Sequence, residues 1–486
     1  MGRGESDLGA GSRHVGRGNS LKAPLHLCRA ELVGTSELRS LEGLNARVCV
    51  RPAQACVLGR TPQSSGDIVP RATTGMLRMM SKTEMRPIKD TIPLAEACAI
   101  IDETFRPLDR LERVPLLEAD RRVVAAEVRS PRDVPPFARA AMDGFAVRAE
   151  DTFGASHLEP RSLRVLEKVY TGQVATTRVS GGTSVEIATG APMPDGADAV
   201  VMVEETERAT ATEVRVFTPV YPGQHVGRQG ADIVRDQVVL RAGDVLNPSR
   251  IGALAALGAL DVEVFTRPTV AILSTGNEIV DPGTNLKAGQ IYDINKFTLS
   301  TIIAEHGGTP VSFQTAEDTV EDLERAIDAC LACDVLVFSG GSSVGERDLI
   351  MDVLGRRGHI LFHGIAVKPG KPTVFGAIDG KPVFGMPGYP TSCLSNAYML
   401  LVPALRRMAR LPPFRMNTVP LPIAQRIVST TGRHQFYTVR VADGQAFPAF
   451  KGSGDITSMS LADGYIEIPA STEIVEKGET VNVKLF

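Results

Sequence analysis

Four short stretches of the chain hold residue types that do chemistry at spacings that concentrate it: "AILSTGNEI", "FSGGSSVGERD", "VKPGKPTVFG" and "GMPGYPTSC". In the second, the apolar run "DVLVF" ends in Gly340, Gly341, Ser342, Ser343 and Gly345. Closely spaced backbone N–H groups without Cβ atoms between them can approach an oxyanion, and the serine hydroxyls add donors. The first stretch ends in an equivalent turn, Ser274, Thr275 and Gly276, so two polar turns are placed to face one crevice. Carboxylates accompany them: Glu278 after the first, Asp318 in "TAEDT", and Asp348 after the nest. Acids at three strand ends repel a phosphate unless they hold a hard cation such as Mg²⁺, which prefers oxygen ligands and bridges to phosphates. In the third stretch Lys368 and Lys371 flank a Pro-Gly turn. Two ammonium groups held close repel one another unless an anion lies between them. In the fourth, Pro387 and Pro390 make a rigid turn that feeds an apolar helix. Each feature has a plainer explanation in isolation: ordinary loop geometry for one glycine turn, helix N-capping for one carboxylate, a solvated turn for the lysines.

The elements that must position these residues follow from pattern. From Arg267 the chain alternates apolar strands ("TVAILSTG", "TPVSFQTAED", "DVLVFSGG") with amphipathic helices ("KFTLSTIIAEHG", "VEDLERAIDACLAC"). This predicts a parallel sheet covered on both faces over residues 266–412, with ligands at the strand carboxyl ends. Residues 128–227 are dominated by short β-branched runs and read as a β domain. The flanking segments, 85–127 and 228–265, carry the helices "TIPLAEACAIIDETFRPL" and "NPSRIGALAALGAL". Residues 413–486 return to short strands of a β-barrel or sandwich. The Arg-, Gly- and Ser-rich residues 1–84 lack sustained periodicity and read as a disordered extension. A net charge of −3 excludes a strongly basic nucleic-acid surface. Seven scattered cysteines give no disulfide rhythm and fit a reducing, cytoplasmic compartment. Cys330 and Cys333 form a C-x-x-C, but at helical spacing and with no second pair, which favours packing over metal binding. No apolar run approaches the roughly 20 residues of a membrane span.

Taken together, "AAMDGFAV", "IATGAPMPDGADAVVMVEE", "STGNEIVDPG", "SGGSSVGERD", "KPGKPTVFG" and "MPGYPTSC" occur in the order found in the molybdopterin molybdotransferases, the MoeA and gephyrin E-domain family, which the chain resembles from about residue 87 to 486. The resemblance implies a multidomain α/β plus β fold. Its parts are a MogA-like three-layer α/β/α domain, an inserted β domain, an elongated two-segment dimerisation domain, and a C-terminal β-barrel. It also implies a homodimer with its site between one subunit's α/β domain and the other's β domain. The implied reaction inserts molybdate into adenylylated molybdopterin with release of AMP and Mg²⁺ assistance, with a MogA-like adenylyltransferase and molybdoenzymes as partners. In that pattern Asp143 and Thr189 project from the β domain, and Glu278, Asp318 and Asp348 are the α/β acids. Lys368 and Lys371 lie near the oxyanion, Pro387 and Pro390 form the adjoining turn, and Ser453 of "KGSGDITS" reaches the same pocket. The chain departs from the family at Gly227 (with Arg228 one place later and Ala231 for the acid), at Gly364 for a lysine, at Tyr389 for an asparagine and at Thr438 for an arginine. Arg440, two residues beyond Thr438 on the same strand face, is the substitute for that arginine as a molybdate contact. Two other functions remain open at this point: a non-catalytic scaffold like gephyrin, and a phosphate or nucleotide hydrolase that shares only the MogA-like domain.

Overall fold

The computed structural model describes residues 88, 90–314, 319–340 and 349–486. The expectation for residues 1–84 therefore lies outside the described residues. Everything below belongs to the compact unit Met80–Phe486.

The α/β region is built on one six-stranded sheet, in the order Thr309–Ser312, Thr269–Ser274, Val335–Ser339, Lys381–Met386, Val374–Ile378 and Gly358–His363. The first four run parallel. Val374–Ile378 runs against both of its neighbours, the one reversed strand of the sheet and a departure from the all-parallel expectation. The cause is local: Asp379 and Gly380 take positive φ of 50° and 75°, the two-residue turn that folds a strand straight back on its neighbour. Side chains along the central strands alternate between two cores, as the two-residue period of a strand demands. Val270, Ile272, Val335 and Val337 pack with Leu299, Ile302 and Ile303 of the helix Asn295–Glu305. Ala271, Leu273, Leu336 and Phe338 pack on the opposite face with Leu323 and Ile327 of the helix Val320–Cys330 and with Val353. Cys330 and Cys333 belong to this second core, and burial pushes the Cys330 thiol up to about 12. The buried face of the helix Leu94–Thr104, with Ala97, Ile101 and the capping Phe105, lies in the first core.

Residues Val114, Val124, Leu240, Leu254, Val262 and Val264 make a separate small core under the strand pair Leu111–Pro115 and Asp261–Phe265. The β domain is a six-stranded sheet with Gly144–Val147 and Thr183–Ile187 adjacent at its centre. Phe145 and Val147 enter one of its cores and Ala146 the other. At the C-terminus, His434–Ala442, Gly464–Ile468, Thr480–Leu485 and Thr418–Pro422 lie in order in another sheet. Val367 and Lys368 pair in parallel with His434 and Gln435 at its edge, which ties the lysine turn to this sheet. Among the described residues no helix is long and apolar enough to cross a membrane.

Candidate functional site

Strand register creates the site. Ser274 stands opposite Ser339, and Ser339 opposite Met386, so three parallel strands end in one row and their turns emerge side by side. The Thr275 N–H donates to the Ser339 carbonyl at 3.0 Å. Gly340, with φ of 105°, lies so close that a Cβ there would sit 2.5 Å from the Thr275 carbonyl oxygen. Gly388, in the third turn, is in ordinary contact with Gly340, a Cβ on it falling 3.6 Å from the Gly340 Cα. Gly276, with φ of 135°, leaves room that a Cβ would take from the Glu278 carboxylate 2.8 Å away. Glycine is required at Gly340, where backbone meets backbone at positive φ, and favoured at Gly276 by its φ.

Asn295 locks the row. Its Nδ2 donates to Ser339 Oγ at 2.7 Å and to the Gly388 carbonyl at 2.8 Å, joining the second and third turns. Asp293, 4% exposed, caps the same helix, one carboxylate oxygen accepting from the Lys296 N–H at 2.9 Å. Sequence reasoning missed both residues. "YDIN" before a helical run reads as a capping signal, and Asp293 does cap; nothing in the spacing shows that Asn295 points back across the strand ends. Cys393 lies beside them, its thiol pushed up to about 12 by burial, with the Ser339 contact acting the other way and Asp293 adding to the rise. Four buried polar atoms along this row have no partner among the described residues: Ser274 Oγ, Thr275 Oγ1, Asp293 Oδ2 and Asn295 Oδ1. Buried polar atoms are nearly always paired, so this row is built to be completed by something polar.

The barrel-side loop reaches the same place. Thr391, in the helix Pro390–Asn396, donates its N–H to the Ser453 carbonyl at 3.1 Å and its hydroxyl to the Asp455 carbonyl at 2.8 Å. Pro390 opens that helix at a position where its missing N–H is harmless, Pro387 is buried and Tyr389 is 66% exposed. The two lysines are engaged separately: Lys368 Nζ donates to Thr430 Oγ1 at 2.7 Å, and Lys371 Nζ to the Ile88 carbonyl at 3.0 Å. Gly364 stands where the family's further lysine would be. Its φ is 94°, and a Cβ would lie 2.6 Å from Ile88 Cγ2, so the segment that holds Lys371 also fills that space. Thr438 is fully buried and Arg440, opposite Phe447, is exposed; period-two spacing puts them on one face but burial does not treat them alike.

On the β domain, Asp143 and Thr189 form one exposed unit. Asp143 Oδ1 accepts from the Thr189 N–H at 2.7 Å and from its hydroxyl at 3.0 Å. The backbone hydrogen bond first, then the hydroxyl, hold the Asp143 carboxyl below its usual range. Gly144 makes this possible, since a Cβ there would lie 1.9 Å from the Val201 carbonyl oxygen. Asp318, Asp348, Gly341, Ser342, Ser343 and Gly345 lie outside the described residues. Among the described residues no group of three His, Cys, Asp or Glu could hold a metal ion, so the expected Mg²⁺ ligand set is represented only by the exposed Glu278.

The chain matches three family profiles in succession: "MoeA N-terminal region (domain I and II)" over residues 92–258, "probable molybdopterin binding domain" over 271–407, and "MoeA C-terminal region (domain IV)" over 420–486. It is 33% identical over 382 residues to molybdopterin molybdenumtransferase 2 of Mycobacterium tuberculosis, covering 76% of this chain and 94% of that one. It is 31% identical over 384 residues to the molybdopterin molybdenumtransferase of Haemophilus influenzae, covering 77% and 94%. A crystal structure of the molybdopterin biosynthesis MoeA protein from Pyrococcus horikoshii superposes with a TM-score of 0.71 at 41% identity, over 82% of this chain and 99% of that chain.

Proposed function

The chain belongs to the MoeA family of molybdopterin molybdenumtransferases, and from that premise we propose that it is a transferase of molybdenum cofactor biosynthesis that inserts molybdate into adenylylated molybdopterin with release of AMP. The observation that supports this most is the row of four unpartnered buried polar atoms, Ser274 Oγ, Thr275 Oγ1, Asp293 Oδ2 and Asn295 Oδ1, at the carboxyl ends of parallel strands. A polar ligand that donates and accepts hydrogen bonds satisfies such a row, and a parallel sheet presents it where α/β folds take ligands. The unpartnered hydroxyls of Ser274 and Thr275 are the donors these turns offer to the substrate's anionic groups. Asn295 keeps two turns in register, and the Ser453 loop closes the third side. Lys368 and Lys371 supply positive charge at the turn that opens toward the C-terminal sheet; Arg440 lies about 17 Å further along the strand from Gln435, the residue that pairs with Lys368, and is set apart from them.

The exposed Asp143–Thr189 unit carries a carboxylate held ionised by its own neighbour. On the homodimer reading it serves the crevice of the second subunit. Magnesium would bring charge neutralisation between substrate phosphates and acids; the described residues do not assemble a site for it, and no step here passes through it. The test combines purified protein, adenylylated molybdopterin and molybdate, with and without Mg²⁺, and follows AMP release together with activation of a molybdenum-dependent apoenzyme. Release of AMP with activation is the expected result. Binding of the pterin without turnover would overturn the enzyme reading in favour of a scaffold, and AMP release without activation would favour a hydrolase.

A further inference from the structure

At the opposite end of the same strands the structure holds a cavity with three arginines set in a largely apolar wall, and we propose that it is a binding site for a small tetrahedral oxyanion of the phosphate or sulfate class. The cavity has a volume of about 230 Å³ and is lined by Arg121, Arg267, Arg406, Glu305, Gly307 and Leu411, among others. One water needs on the order of 10–15 Å³ on this measure, so the space accommodates an oxyanion with water. Arg267 stands two residues before the strand Thr269–Ser274 and Gly307 two before Thr309–Ser312. The cavity therefore sits at the strand amino ends, roughly 23 Å along the chain from Ser274 at about 3.3 Å per residue, and is separate from the crevice.

Its charge is not balanced from within. Three guanidinium groups face one lining carboxylate, Glu305. Arg122, which adjoins them beside Arg121 and Arg267, is already paired with Glu112 and donates to the Phe265 carbonyl at 2.9 Å. Arg267 is held only through Nη2, to the Asp120 carbonyl at 3.2 Å, and its buried Nε has no partner among the described residues. Arg406 donates its Nε to the Pro412 carbonyl at 2.8 Å and turns Nη1 toward His306 Nδ1 at 3.4 Å. Neither forms an ion pair among the described residues. Arg121 has Asp120 at 3.9 Å, both side chains largely exposed, and it is held at φ of 58°, a left-handed conformation that a non-glycine residue adopts at some cost. Burial first, and then the charge of Arg122 beside Arg267 and of Arg121 beside Arg406, lower the affinity of both groups for their protons. Arg267 and Arg406 are half-buried, and a guanidinium withdrawn from water is normally paired or hydrogen-bonded. A planar fork of N–H donors matches the oxygens of phosphate-class anions as it does those of carboxylates.

The experiment titrates phosphate and sulfate by calorimetry and by thermal melting, against chloride at matched ionic strength, because the crevice also accepts anions and only differences between variants report this cavity. Arg267→Gln and Arg406→Gln should each weaken binding to this site tenfold or more, while Arg325→Gln, on an exposed helix face elsewhere, leaves it unchanged. Arg121→Gly should raise the melting temperature in chloride, since it removes both the left-handed side chain and one like charge, and should lose most of the increment that phosphate gives the wild type. This variant keeps the test decisive if the buried substitutions fail to fold. The proposal is overturned if Arg121→Gly retains the full phosphate increment, or if well-folded Arg267→Gln and Arg406→Gln bind phosphate within twofold of the wild type.

Discussion

Asn295 is the residue on which the crevice geometry can be tested most sharply. Its Nδ2 makes two hydrogen bonds, to Ser339 Oγ at 2.7 Å and the Gly388 carbonyl at 2.8 Å, on turns that are distant in sequence. Replacing it by aspartate keeps the shape and removes the donors. The Ser339 hydroxyl can rotate and donate to the introduced carboxylate. The Gly388 carbonyl cannot, and meets an acceptor at 2.8 Å. Gly388 is exposed and this bond part-buried, so losing the donor costs the net value of one hydrogen bond, about 0.5–1.5 kcal/mol, and an ionised group beside the buried Asp293 adds to it. If the two turns must hold their spacing for the substrate to reach its transition state, that energy appears as a fall of roughly 2- to 13-fold or more in kcat/KM for AMP release. Asn295→Ala, which drops both bonds without introducing charge, should fall in the same range. Both are measured by steady-state AMP release, with circular dichroism and melting curves to establish that the fold persists. A well-folded Asn295→Asp whose kcat/KM stays within twofold of the wild type would refute the argument that this side chain positions the site.

Three further outcomes follow from particular contacts. Burial, then Arg406 and Arg121, push His306 from 6.5 to about 4. The unfolded chain thus binds the proton more readily than the folded one, and stability falls as pH drops from 6.5 toward 4 at up to about 1.4 kcal/mol per pH unit; His306→Gln should flatten that slope in melting curves taken across the window. Thr189→Val removes the hydroxyl donor to Asp143 but keeps the backbone one, so the acid limb of the kcat/KM profile should move to higher pH; an unmoved limb excludes Asp143 as the group that titrates there. Gly364→Lys, which would restore the family's common residue, should destabilise the protein by about 1–2 kcal/mol from the left-handed φ alone, and by more through the clash with Ile88; a thermal melt equal to the wild type would contradict it.

Much of the site was legible in the residues themselves. A strand that ends in glycines and hydroxyl residues announces a close backbone approach, and Gly276 and Gly340 occupy conformations that L side chains rarely adopt. Asp143 was legible only through the family resemblance, since by itself an aspartate before Gly144 reads as a turn residue. The helix positions of Ala97, Ile101 and Phe105 follow from periodicity alone, whereas the core that receives them does not, because a stripe states that a face is buried and not against what. The lysines show the limit of local reading. Two ammonium groups three residues apart suggested one shared anion, yet Lys368 reaches Thr430 and Lys371 reaches Ile88, partners supplied by segments far along the chain.

The sequence by itself determined the order of the motifs, the alternation that makes an α/β sheet, and the glycine positions where no Cβ fits, because these are properties of neighbouring residues. Only the tertiary structure decided that Asn295 spans two turns and that Arg121, Arg267 and Arg406 share one cavity. Those juxtapositions depend on strand register and on packing between segments separated by some 44 to 93 residues for Asn295 and by more than a hundred for the three arginines, and no local pattern encodes the distance between groups that meet only when the chain is folded.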